Sequence, residues 1–136
     1  MIEIYSLNKT VPGATNIPLD NISLKKGQTV VLEGVSTLSF NACGVYEVTF
    51  DASAVASEAG VINVQLVKDS VSQPQAQTSA TAADTTTIYP LSFTTLVQVP
   101  RNNTPCPCSE PTTAAFLNAG VGAVFNNVNI CVTKLV

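Results

Sequence analysis

The run from Gly44 to Val55 constrains this chain more than any other. Gly44, Tyr46, Val48, Phe50, Ala52 and Ala54 fall on every second position, and Glu47, Thr49, Asp51 and Ser53 fall between them. A strand sends successive side chains to opposite faces, so this alternation predicts a half-buried β-strand. A helix would place apolar residues three and four apart, and that face would mix Glu47 and Asp51 with Phe50. The strand is about twice the usual five or six residues. A strand this long belongs inside a sheet, so the fold class expected is all-β.

The rest of the sequence agrees. The 136 residues suit one domain large enough to bury a core without staples. Charged residues make up only 11%, under half the usual share, and Thr, Ser, Asn and Gln supply the polarity. Such a composition favours strands and tight turns over helices. It also suits a surface that packs against other subunits. The six basic residues, Lys9, Lys25, Lys26, Lys68, Arg101 and Lys134, form no stripe, which disfavours nucleic acid. The opening Met1-Ile2-Glu3-Ile4-Tyr5 lacks the charged and apolar regions of a cleavable signal, and no apolar run reaches eighteen residues. The expectation is a protein made in the cytoplasm that leaves, if at all, by lysis.

Along the chain, Ile2 and Ile4 begin a short strand that stops near Pro12-Gly13, and residues 1–27 are read as an N-terminal strand or extended arm before a domain at 28–136. Gln28 to Leu32 and Ser36 to Phe40 are short strands. Val61 to Lys68 alternates again and is expected to form a hairpin with the long strand through a turn holding Gly60. Val71 to Thr87 has few large apolar residues and reads as weak strand with a loop around Ala83-Asp84. Tyr89 to Val99 is a strong strand, with Leu91, Phe93, Val97 and Val99 on one face. Pro100 to Pro111, with four prolines and two cysteines, is a surface loop. Thr112 to Leu117 and Val128 to Val136 are the last strands, joined by Asn118 to Asn127. Eight to ten short strands with frequent turns predict a two-sheet antiparallel sandwich or jelly roll.

Catalytic constellations are scarce. With no histidine, Ser-His-Asp and Cys-His arrangements are excluded, as are most zinc enzyme sites. The acidic residues are scattered. Glu47 and Asp51 share a strand face, but four residues of strand separate them by about 13 Å, beyond either glycosidase spacing. Gly120-Val121-Gly122 lacks the pattern of a phosphate loop and is a turn. No enzyme, metal or cofactor is expected. Four cysteines occur, Cys43, Cys106, Cys108 and Cys131. Reduced thiols are the default without secretion, and a disulfide from Cys43 or Cys131 to the loop of Cys106 and Cys108 is the open alternative.

Three stretches carry a resemblance. Gly44-Val45-Tyr46-Glu47-Val48-Thr49-Phe50 is similar to the Gly-x-Tyr-x-Phe-x-Phe strand of the tumour-necrosis-factor-like and complement globular-head (C1q-like) superfamily, with Val48 in place of one aromatic. Asn63 to Ser70 resembles the next strand and turn, where the family often has Lys-Asn-Gly or Lys-Asp-Gly, and Ser70 stands at that glycine. Val132-Thr133-Lys134-Leu135 resembles the final strand, which returns to the centre of the inner sheet. The likeness spans Thr37 to Val136, and low-charge bacterial or phage members look closest. It implies a two-sheet jelly roll that assembles as a homotrimer and is not an enzyme.

Tyr46, Val48, Phe50, Tyr89, Phe93 and Leu135 are the residues expected in the trimer interface or in the monomer's own core. Low charge and a long strand apolar on one face and weakly polar on the other fit a sheet covered on both sides. The leading functional expectation is a structural virion protein, a trimeric phage head fibre or capsid-decoration knob, with Ile2, Ile4 and Tyr5 anchoring an extended arm to the capsid. The rival is a receptor- or glycan-binding tip of a phage fibre or of a bacterial or spore surface protein. Its site would lie on the Pro100–Pro111 or Val71–Thr87 stretch.

Overall fold

A computed structural model describes residues 1–27, 29–99 and 112–136. Among them are eleven strands: β1 (Ile2–Val11), β2 (Thr15–Asn16), β3 (Asn21–Lys25), β4 (Val30–Glu33), β5 (Thr37–Phe40), β6 (Gly44–Ala56), β7 (Gly60–Lys68), β8 (Val71–Ala82), β9 (Ile88–Val99), β10 (Thr112–Asn118) and β11 (Ala123–Lys134). They form two antiparallel sheets. One has the order β3-β1-β11-β6-β9, the other β4-β5-β10-β7-β8, and β2 pairs with β10 beside the second. The fold is an all-β, TNF-like jelly-roll sandwich. The last strand, β11, lies at the centre of the five-stranded sheet, between β1 and β6.

The alternation in β6 sets the core. Tyr46, Val48, Phe50, Ala54 and Ala56 are buried, while Glu47 and Asp51 are exposed. Facing them from the other layer are Ile62, Val64, Leu66 and Phe116. Phe50 stacks on Phe93 and Phe116 with ring centroids 5.3 and 5.2 Å away. Each such ring contributes about 1.5–3 kcal/mol by burial, and each ring pair about 0.5–1.5 kcal/mol more. The Tyr46 ring meets Phe40 edge-on at 4.8 Å, and its hydroxyl donates to the Ala42 carbonyl at 2.6 Å. Burial raises the Tyr46 pKa, and that hydrogen bond opposes the rise.

Buried Asn118 ties three elements together. Its amide donates to the Val11 carbonyl at 3.1 Å and the Val121 carbonyl at 3.0 Å, and its Oδ1 accepts from the Gly120 amide at 3.2 Å. A Cβ on Gly120 would lie 2.1 Å from the Val61 carbonyl oxygen, so that turn requires glycine. Gly44, at φ +148°, likewise lets the Val136 carbonyl approach where a Cβ would sit 2.2 Å away.

Several expectations are corrected. β6 and β7 are not a hairpin: β6 pairs with β9 and β11, whereas β7 pairs with β8 and β10 in the other sheet. The turn between them carries the chain across the sandwich, so the two apolar faces meet through the core instead of lying side by side. Residues 1–27 are not a separate arm, because β1 and β3 are two of the five strands of one sheet. Residues 71–82 form one continuous strand, and β11 begins at Ala123 where a connection was expected. The strand β8 turns small side chains inward, Ala76 and Ala82 fully, so it adds little apolar bulk to read.

Asp69 and Ser70, both at positive φ (49° and 67°), make the tight turn from β7 to β8. The turn is fastened to β10. The Asp69 amide donates to the Thr113 carbonyl, and the Thr113 amide donates to Asp69 Oδ1, both at 2.9 Å. The β8–β9 connection is held by Asp84, which accepts from the Thr87 and Thr86 amides at 2.9 and 3.1 Å. These bonds hold its carboxyl below the ordinary carboxylate range.

Candidate self-assembly surface

Where β6 and β11 point their buried residues inward, the residues between them form the outward face of the five-stranded sheet. The register places Leu24, Glu3, Cys131, Thr49 and Thr94 in one row across β3, β1, β11, β6 and β9. The next rows hold Tyr5, Asn129, Asp51 and Ser92, and Thr133, Glu47 and Leu96. Leu7, Ile88 and Leu96 on this face are each more than half exposed. Its three carboxylates, Glu3, Glu47 and Asp51, have no basic residue in these rows.

One side of the sandwich ends in β8 and β9, which lie against each other. Neither strand holds a charged residue, and from Val71 to Val99 the only charge is Asp84 in the turn between them. Natural sheets guard exposed edges with short strands, charge or proline. These edges are 12 residues each, guarded by Pro74 and Pro90 alone. Proline blocks the addition of a further strand but does nothing against side-on packing. A cleft of about 190 Å³ opens at this side, with Lys68, Gln73, Gln75, Leu96 and Gln98 among its walls. Lys68 Nζ donates to the Gln98 carbonyl at 2.7 Å and so bridges the two sheets.

The residues singled out from sequence divide among three environments. Tyr46, Val48 and Phe50 are fully buried between the sheets. Tyr89 and Phe93 are half-buried and packed on that core, and Leu135 is half exposed. The expected anchors are overturned in part: Ile2 and Ile4 have no exposed surface, because β1 points them between the sheets. Only Tyr5 faces outward, half-buried. Cys43 is disulfide-bonded, which corrects the default of reduced thiols at that position. Cys131 is free and half-buried on the outward face. Cys106, Cys108 and the Pro100–Pro111 loop lie outside the described residues. Among the described residues no three Cys, Asp or Glu side chains cluster as metal ligands, and no helix is long and apolar enough to cross a membrane.

Sequence reasoning missed the β8–β9 edge. Its signal is 29 residues with a single charge, which alternation of apolar residues does not reveal.

No family model matches this chain, and no curated protein sequence matches it. Solved structures do. Murine APRIL superposes with a TM-score of 0.67 at 7% identity, covering 98% of both chains. Eiger TNF from S. frugiperda gives 0.67 at 9% identity, over 99% of this chain and 92% of that one. PRD1 vertex protein P5 gives 0.62 at 12% identity, over 99% and 96%. Identities this low establish a shared fold alone.

Proposed function

We propose that the chain is a structural, non-enzymatic protein that works as a closed homotrimer, a knob on a virion serving as head fibre or capsid decoration. The observation that carries this reading is the long uncharged β8–β9 edge on a molecule whose five-stranded sheet presents a partly apolar outward face. An edge that packs on a different patch of the next copy makes a heterologous contact. Such contacts either close into a ring or run on as a filament. Closure after three copies hides every β8–β9 edge and leaves no growing end.

The likeness to a vertex protein supports the virion setting, and the TNF-like fold supports the trimer. Since Ile2 and Ile4 are core residues, attachment to a particle falls to other surfaces, with Tyr5 the remaining outward candidate. The receptor- or glycan-binding reading loses part of its expected site, because residues 71–82 are a strand of the sheet.

Light scattering of the full chain tests the trimer. The expected mass is three times the 14.2 kDa of one chain, down to micromolar concentration. A single-chain mass at that concentration overturns it. Incubation with particles stripped of their surface proteins tests the virion role, with saturable binding expected.

A further inference from the structure

We infer that Lys68 of one copy pairs with Glu47 of the next, and that this charge pair sets the register of the edge-on-face contact. The inference rests on the trimer proposed above and goes on to name the two groups that align it.

Three observations carry it. Lys68 belongs to the six-stranded sheet, yet its ammonium reaches the Gln98 carbonyl on β9, which puts a cation, the one at this edge among the described residues, at the mouth of the cleft. Among the described residues no carboxylate lies within ion-pair distance of it; the ion pair found there is Lys9–Asp20. Two of its three ammonium hydrogens remain for an acceptor. The outward face carries the complementary deficit. Glu47 is exposed, its row neighbours are Leu96 and Thr133, and neither supplies a cation.

Symmetry then selects among the carboxylates. We take the axis of the ring to run along the strands; rotation about such an axis leaves height along it unchanged, so an edge residue meets the neighbour's row at its own height. Gln98, which holds Lys68, is in register with Val45, and Leu96, on the wall of the same cleft, is in register with Glu47. Asp51 lies four residues, roughly 13 Å, further along β6. Glu3 lies two strands further from the β9 edge. Glu47, two residues along β6 from Val45, is therefore the carboxylate nearest Lys68 in height, and it lies on the strand next to the edge. A pair at the rim of such a contact steers encounter and rejects wrong registers more than it adds raw affinity.

The test is a charge swap in the full chain: K68E, E47K and the double variant K68E/E47K, each diluted through its dissociation range with mass read by light scattering. Both side chains reach solvent, and a thermal melt checks that each variant folds. Each single reversal is expected to weaken assembly about tenfold by setting like charges together, and the double variant to recover most of that loss. Raised salt is expected to shrink the difference between singles and wild type. The pairing is overturned if the wild type is trimeric but the double variant is no tighter than the weaker single, or if E47K assembles like wild type while K68E does not. A monomeric wild type overturns the trimer, and the pairing with it.

Discussion

The two sides of the sandwich are finished in opposite ways. One ends in β3 and β4, five and four residues long, with Lys25, Lys26 and Glu33 at or beside their ends. The other ends in β8 and β9, 12 residues each, with no charge on either. Short, charged edges are what soluble β-proteins use to stop a neighbour from docking. The first side carries these guards, and the second lacks all of them but proline. Among the edge strands, lack of charge is thus confined to one side.

A single substitution on each side gives the largest contrast. Leu96 on β9 and Ile22 on β3 are exposed to similar degrees, 59% and 46%. Leu96→Glu is expected to raise the trimer dissociation constant at least a hundredfold, since it sets a second carboxylate beside Glu47 in a covered contact. Ile22→Lys is expected to leave the mass unchanged. Light scattering at matched concentrations reads both, and equal effects from the two would erase the distinction between the sides.

The long edge is also held differently from within. Phe93 pins β9 to the core by stacking on Phe50, with Phe116 at 6.2 Å. Phe93→Ala is expected to cost about 3 kcal/mol, the low end for an aromatic truncation because the ring is half exposed. Urea unfolding measures it at a concentration where the protein is monomeric.

A smaller gain is expected where that edge begins. Ser70 holds a positive φ in the β7–β8 turn, a conformation that costs a residue bearing a Cβ about 1 kcal/mol. Ser70→Gly removes the strain and is expected to raise Tm by a few degrees, with the mass unchanged.

The smallest effect belongs to the short side. The Lys9 side-chain hydrogen bond, opposed by slight burial and reinforced by the lysine's charge, holds the Asp20 carboxyl below its ordinary value. A depressed folded-state pKa stabilises the protein above the unfolded-state pKa, and that contribution fades as pH falls from the ordinary carboxylate value through the folded one. Both groups are partly solvated, so the contribution is a few tenths of a kcal/mol. Lys9→Met is expected to flatten this part of the stability–pH curve below about pH 4, read by thermal melts in a pH series.

What was legible in the sequence follows the size of the side chains. Tyr46, Val48 and Phe50 announced β6 and its buried face, and Leu91, Val97 and Val99 did the same for β9. The resemblance of Val132 to Leu135 to a closing strand matched the position of β11 at the centre of its sheet. Alternation says which face is buried but not which strand lies alongside, so Ile62, Val64 and Leu66 suggested a hairpin where they line the opposite layer. Ala76, Thr78, Ala80 and Ala82 obey the same period with too little bulk to mark a strand. Ile2 and Ile4 read as surface anchors because their partners Val132 and Ile130 stand 130 and 126 residues away. The candidate surface was nearly illegible, since it is marked by missing charge and by an edge order that only the assembled sheets reveal.

The central position of β11 bears on how the molecule comes into being. In a growing chain, β1 and β6 have no shared neighbour until residues 123–134 emerge, more than a hundred residues after β1. Until then the apolar inner surfaces of half a sandwich stand open to water. Contacts this distant along the chain slow folding and lengthen the period of risk. Production of this protein should therefore depend on how fast residues 123–134 are delivered and on whether a chaperone shelters the strands made before them.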